Sequence, residues 1–205
     1  MLEVTNLGCV RGDRRLFSGL TFAVNPGAWV QVVGPNGCGK TSLLRMICGL
    51  LEPAEGNISW GGENIRKLGE EFLADVSYLG HRNGIKDEFT SIENLRCSSG
   101  LSGIAISEQT AATVLQKAGL ASREHLPTRV LSEGQRRRVA LSRLALSPKK
   151  LWILDEVLTS LDKNGIAFVR SLISEHLIRG GIAIVATHQD LDLSPNTFER
   201  IQLSL

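Results

Sequence analysis

A chain of 205 residues with 42% hydrophobic and 21% charged residues fits one globular domain that buries its own core, and excludes disordered or fibrous composition. The formal net charge of +2, from 23 Lys and Arg against 21 Asp and Glu, leaves no strong field to attract nucleic acid. Cys9, Cys38, Cys48 and Cys97 lack a Cys-x-x-Cys spacing, so reduced thiols are expected rather than zinc or disulfides; no cleavable signal is expected at residues 1–6, and no run approaches the roughly 18 apolar residues of a membrane span.

Residues 2–4 and 20–24 alternate apolar and polar side chains around turn signals at Gly12-Asp13 and Pro26-Gly27, which predicts short antiparallel strands along one edge of the core. Residues 29–33 read as an apolar strand, and Leu44, Ile47 and Leu51 carry helical spacing from Thr41 until Pro53 stops it. Between the two, Gly34, Pro35, Asn36, Gly37, Cys38, Gly39, Lys40 and Thr41 match the G-x-x-x-x-G-K-[ST] phosphate loop in full, in the strand-loop-helix context that the motif requires. Its glycines let backbone N–H groups turn onto phosphate oxygens, and the helix N-terminus adds partial positive charge. Lys40 is expected to reach the β- and γ-phosphates of a nucleotide, and Thr41 to ligate Mg2+. A plain glycine turn would not need a lysine followed by a hydroxyl at the helix start. Cys38 reads either as a redox switch or as a small residue beside backbone that faces phosphate.

Residues 55–62, with Gly56 and Gly61-Gly62 around Ile58 and Trp60, predict part of a hairpin, and residues 76–79 another strand. Helical patterns at 91–95, 108–118 and 135–146, broken by Gly100, Gly103 and Pro127, predict a helical subdomain over about 85–147 within an α/β core of about 1–84 and 148–205. Ser132 and Gln135 have capping-box spacing at the start of the third helix. The basic run Arg136 to Arg138 is read as a solvated helix face without chemistry.

After Pro148 come an apolar strand at 151–154, a helix at about 164–178, a Gly180-Gly181 turn and a strand at 182–186. Such alternation implies right-handed crossovers and a largely parallel sheet with helices on both faces. The strand at 151–154 delivers Asp155 and Glu156 to the carboxyl edge of the sheet, where two adjoining acids suit metal and water handling better than a solvated strand end does. His188 follows the last strand; taken alone, a histidine in such a place is usually just a polar surface residue. The expected fold is α/β: a P-loop NTPase core with an N-terminal antiparallel β region and an inserted α-helical subdomain.

With a phosphate loop at one end and an acid pair at the other, Leu131-Ser132-Glu133-Gly134-Gln135 falls roughly midway. In these elements the chain resembles the ATP-binding cassette of ABC transporters. The resemblance implies that Asp155 binds Mg2+ through water, that Glu156 polarises the attacking water, and that His188 is the switch histidine close to the γ-phosphate. It also implies that Ser132, the N–H of Gly134 and the helix starting near Gln135 bind the γ-phosphate of ATP held by a second copy, so that the active unit is a homodimer. Leu161-Asp162 resembles the element that communicates across that dimer.

Departures from the common cassette pattern stand at Arg11, in place of an adenine-stacking aromatic residue, at His81, in place of a glutamine, and at Val157, in place of a proline. A closer resemblance follows from Tyr78-Leu79-Gly80-His81, Gly84-Ile85-Lys86, Thr90, Glu93-Asn94-Leu95 and Thr187-His188-Gln189. These are similar to the cytochrome c maturation cassette, the heme exporter ATP-binding subunit, over nearly the whole chain. In that family a glycine-histidine pair at the sensing loop is usual, whereas Val157 stays unusual. The resemblance implies an ATP-hydrolysing subunit held by an integral membrane permease at the cytoplasmic face of the bacterial inner membrane. There it would energise c-type cytochrome biogenesis, by heme export or by release of a heme-loaded chaperone, without touching heme itself. The alternatives are a cassette serving another substrate and a non-hydrolysing ATP-sensing module; a nucleic-acid repair cassette is disfavoured by the near-neutral charge.

Overall fold

The computed structural model describes residues 1–189, 191–193 and 198–203. They divide into two compact units, one of Met1–Tyr78, Lys149–Glu156 and Ser174–Leu205, the other of Leu79–Pro148 and Val157–Ile173.

The first unit opens with β1 (Leu2–Arg11) and β2 (Arg14–Val24), an antiparallel hairpin in register from Leu2↔Val24 to Arg11↔Arg14. The strands outrun the predicted 2–4 and 20–24 because the pairing shifts between Val4 and Leu7 and again on either side of Cys9, with Asn6 at φ 50. An irregularity of this kind breaks strict alternation, so Leu7, Gly8 and Cys9 are buried in succession. Next come β3 (Trp29–Val33), α1 (Lys40–Ile47), β4 (Glu55–Trp60), β5 (Glu63–Asn64), the short helices α2 (Ile65–Leu68) and α3 (Glu70–Asp75), and β6 (Val76–Leu79).

The second unit holds α4 (Ser91–Leu101), α5 (Glu108–Lys117), a 3-10 turn at Thr128–Val130, and α6 (Glu133–Ala145). The chain then forms β7 (Leu151–Asp155), α7 (Lys163–Ile178), β8 (Ile182–Ala186) and β9 (Phe198–Gln202), the last not predicted.

Two sheets result, a four-stranded one in the order β2-β1-β4-β5 and a five-stranded one in the order β6-β7-β8-β3-β9. In the first, β1 runs antiparallel to β2 and β4; in the second, β3 runs parallel to β8 and β9, and β7 parallel to β8. β7 and β8 are buried at every position, as parallel strands covered on both faces must be. Leu43, Leu44, Met46 and Ile47 of α1 join Leu2, Val4, Ile153 and Ile184 in one core. Each such side chain stabilises the fold by about 1.5–3 kcal/mol. That core holds α1 rigidly at the end of β3, where the phosphate loop lies.

In the second unit Ile92 and Leu95 of α4, Ala111 and Leu115 of α5, and Val139 of α6 form a separate core with Leu120 and Leu131. Thr90 and Glu93 make a reciprocal capping box on α4 at 3.1 and 2.7 Å. α4 runs past Gly100, which occupies its last turn, and ends at Leu101 with Ser102 as its C-cap. Asn94 is buried and ties down the loop before the helix, donating Nδ2–H to the Lys86 carbonyl at 2.9 Å and accepting the Lys86 N–H at 2.7 Å.

The basic run is not a solvated face. Arg137 is 3% exposed and donates to the carbonyls of Val157 at 3.3 Å and Gly80 at 2.9 Å and to Asn83 Oδ1 at 3.1 Å. Arg138 is ion-paired with Asp162, and Arg136 meets Asp87 at 3.2 Å. Lower on α6, Arg143 donates to the carbonyls of Asn83 and Gly84 at 2.6 and 2.9 Å. Arg137 and Arg143 hold the 80–84 loop, and its carbonyls supply acceptors that make burying the Arg137 guanidinium tolerable.

Candidate nucleotide-phosphate site

β3 ends in a loop that only glycine can begin. Gly34 has φ 151, and a Cβ there would lie 2.4 Å from the Leu203 carbonyl and 2.7 Å from Cys38 Sγ. Cys38 is fully buried against that glycine, a packing place for a small side chain. Gly39 caps α1 at φ 109 with no side-chain hydrogen bond, so the first N–H groups of the helix stay open to a ligand. Asn36, Gly37, Gly39, Lys40, Thr41 and Ser42 line a cleft of about 240 Å³ together with Asp155, Glu156 and Leu16 of β2. Phosphate loop and acid pair thus share one cavity.

Lys40 is 8% exposed and folds back on its own loop, donating from Nζ to the carbonyl of Gly34 at 2.7 Å and that of Pro35 at 3.3 Å. Its third close partner is His188 Nε2 at 3.1 Å. An ammonium has only donors, so this contact is a hydrogen bond only when Nε2 accepts. His188 Nε2 also lies 3.6 Å from Glu156 Oε1. A cation and a carboxylate thus meet at one imidazole nitrogen beside the loop.

Glu156 has φ 51, a left-handed backbone that costs a non-glycine residue about 1–2 kcal/mol. It is held there by its N–H, which donates to the Ala186 carbonyl at 2.9 Å. Strain of this sort concentrates at functional sites. Asp155, 4% exposed, is the last residue of β7 opposite Ala186. Its charge is felt nearby: the Cys48 thiol is pushed up to about 12, first by burial and then by Asp155, and the Tyr78 hydroxyl is raised by the same two causes in the same order.

In the second unit Ser132 is exposed and is the N-cap of α6: Gln135 N–H donates to Ser132 Oγ at 3.3 Å, and Ser132 N–H to Gln135 Oε1 at 3.0 Å. α6 starts at Glu133, so Gly134 sits in the first helical turn rather than in a turn before it. Its lack of a side chain has a packing cause as well: a Cβ would stand 2.5 Å from the Ser160 carbonyl. Asp162 accepts the N–H of Gly165 at 2.8 Å, and Gly165 first and Arg138 next hold its carboxyl below the usual range. His81 is exposed, and its carbonyl accepts from Arg137 at 3.4 Å.

Arg11 ends β1 opposite Arg14, exposed, and is not among the residues that line the cleft. Leu16 takes a lining position instead, and Ser42 is a second one that the motif does not announce. No spacing rule marks Leu16, which reaches the loop only because β2 passes beside Gly39.

A phosphate loop capped by an open helix N-terminus, facing strand-end acids across one cleft, defines a P-loop nucleoside-triphosphatase. The family profile for "ABC transporter" matches residues 17–159. The cytochrome c biogenesis ATP-binding export protein CcmA of Nitrosospira multiformis is 51% identical over 203 residues, covering 99% of this chain and 98% of that one. Its counterpart from Nitrosomonas europaea is 53% identical over 204 residues, covering 100% and 96%. Among solved structures, an ABC transporter ATP-binding protein from Pyrococcus furiosus superposes with a TM-score of 0.83 at 26% identity, covering 97% and 96%. A bacterial ABC transporter cassette solved as a dimer shares the fold at a TM-score of 0.83 and 21% identity, covering 100% and 94%. The chain belongs to the ABC transporter family, and within it to the cytochrome c biogenesis ATP-binding export proteins. It is an ATP-binding, ATP-hydrolysing subunit.

Proposed function

We propose that this chain hydrolyses ATP as one of a pair of copies, held by membrane subunits at the cytoplasmic face of the bacterial inner membrane, to power an export step in c-type cytochrome biogenesis. The observation that carries the chemistry is the meeting of Lys40 and Glu156, two residues that line the cleft with Asp155, at Nε2 of His188. Likeness over nearly the full length to relatives named for cytochrome c biogenesis and export supports the process. No described helix is long and apolar enough to cross a membrane; attachment and any contact with heme are assigned to partner subunits as part of this reading.

On binding ATP, Lys40 exchanges the Gly34 and Pro35 carbonyls for β- and γ-phosphate oxygens, and the open N–H groups of the loop and α1 take up the remaining charge. Thr41 and Asp155 offer oxygen donors within one cleft, the kind of partial set that takes Mg2+ together with phosphate and water. Mg2+ held there would neutralise and align the phosphate oxygens. Glu156 accepts the proton of the attacking water, and His188, between Glu156 and Lys40, orients it toward the γ-phosphate. The Ser132 hydroxyl and the N–H of Gly134 are assigned to the γ-phosphate of the ATP held by the second copy; Asp162 is assigned to contact across that pair.

Replacing Lys40 by Ala in cells that depend on this chain, and measuring holocytochrome c beside the ATPase rate of the purified membrane complex, tests both halves. Loss of both is expected. Normal cytochrome c with abolished ATPase would overturn the role in biogenesis.

A further inference from the structure

β3 carries one polar side chain that the nucleotide cleft does not use. Gln31 lies mid-strand, 1% exposed, in an otherwise apolar stretch. Burying an unsatisfied amide forfeits its hydrogen bonds to water, so its partners decide whether it is tolerated. Nε2 donates to the carbonyls of Thr187 at 3.3 Å and Gln189 at 3.1 Å, the two residues that flank His188. Oε1 accepts from Nε and Nη2 of Arg200 at 3.3 and 3.1 Å, and Arg200 stands directly opposite Gln31 in the β3–β9 ladder. Both donors and both lone pairs of the amide are used. The guanidinium also settles its orientation: a flipped amide would set Oε1 against two carbonyls and NH2 against a cation.

His188 cannot hold this position by its own packing, since its side chain is 51% exposed. Its backbone is held instead. Thr187 N–H donates to the Val32 carbonyl at 3.4 Å, Gln189 N–H donates to Thr187 Oγ1 at 3.1 Å, and Gln31 pins the carbonyls on both sides. The strand that ends in the phosphate loop therefore also sets the turn that presents the histidine to it.

We propose that Gln31, oriented by Arg200, is the positioning residue that sets His188 against Lys40 and Glu156. The inference rests on the reading that His188 acts at the γ-phosphate. A leucine would fill the same volume without the four hydrogen bonds, which makes Gln31→Leu the informative change. In the assembled membrane complex, Gln31→Leu is expected to lower kcat roughly 10- to 100-fold, the scale of a misplacement of about 1 Å, with KM and ATP binding nearly unchanged because the loop and Lys40 are intact. In a His188→Ala background the same change should cost no further rate. A purely structural role would slow both backgrounds alike, and that result would overturn the proposal, as would wild-type kcat in Gln31→Leu beside a slow His188→Ala. Normal turnover in His188→Ala would instead sink the reading of the histidine. Should Gln31→Leu fail to fold, Arg200→Met leaves the amide in place but removes its orienting fork; it should show a smaller loss confined to kcat, and a folded Arg200→Met with wild-type kcat would overturn the inference.

Discussion

Glu156→Gln isolates the proton-accepting step because almost everything else at that position is preserved. The backbone at φ 51 is as strained for glutamine as for glutamate, and the N–H bond to Ala186 at 2.9 Å is untouched. What goes is the ability to take a proton, together with the carboxylate that faces His188 at 3.6 Å. A general base contributes roughly 10²- to 10⁴-fold, or about 2.7–5.4 kcal/mol of barrier at 1.36 kcal/mol per tenfold. The electrostatic partnership with a half-exposed imidazole is worth at most about 1 kcal/mol, a factor of roughly five. The two explanations are therefore separable by size. Phosphate release from the assembled complex should fall at least 100-fold, while equilibrium ATP binding, carried by the loop and Lys40, stays at the wild-type level. A drop of fivefold or less would refute the general-base assignment and leave Glu156 only an electrostatic role.

Gly134→Ala offers a contest between two magnitudes: alanine raises helix propensity by about 1 kcal/mol, but its Cβ would sit 2.5 Å from the Ser160 carbonyl, an overlap that costs about 1–3 kcal/mol. The clash should win, so thermal unfolding of the variant is expected below wild type, and an equal or higher Tm would show that the 160 turn yields freely. His176 stacks on Trp152 with centroids 3.8 Å apart, lies near the Ile182 carbonyl at 3.1 Å, and is held below its ordinary value chiefly by burial. Its neutral form favours the fold, so this contribution is complete above about pH 6.5 and is lost as pH falls toward the lowered folded value. Calorimetry near pH 7.5 and 5.5 should find that His176→Phe, which keeps a stacked ring but gives up a hydrogen bond worth about 1 kcal/mol, loses less Tm on acidification than wild type; equal losses would refute the assignment.

What could be read in the chain and what could not differ by the distance over which the chemistry is assembled. The phosphate loop is a run of eight consecutive residues, and the acid pair follows its own apolar strand directly, so composition and order alone expose them. The parallel strands at 151–155 and 182–186 are legible for the same reason, being apolar throughout. The β1–β2 hairpin is legible only at its ends, since the register shifts near Asn6 and Cys9 erase alternation in between. Arg136 to Arg138 misleads because a charge run normally marks a wet helix face. Here the carbonyls that satisfy Arg137 come from residues 57 and 20 positions away, which no local pattern shows. Gln31 is the extreme case. Its partners lie 156, 158 and 169 positions down the chain, and a single amide in an apolar strand reads as an interruption rather than a signal. The physics nevertheless leaves a trace: a buried polar side chain inside a strand must have partners, and in a parallel sheet they come from the neighbouring strands or the turns that follow them. When such a strand also leads into a phosphate loop, those neighbours border the reacting groups. An isolated Gln, Asn or Thr in the strand before a phosphate loop is thus a place to look for residues that position catalytic groups, even though nothing adjacent to it in sequence reveals the connection.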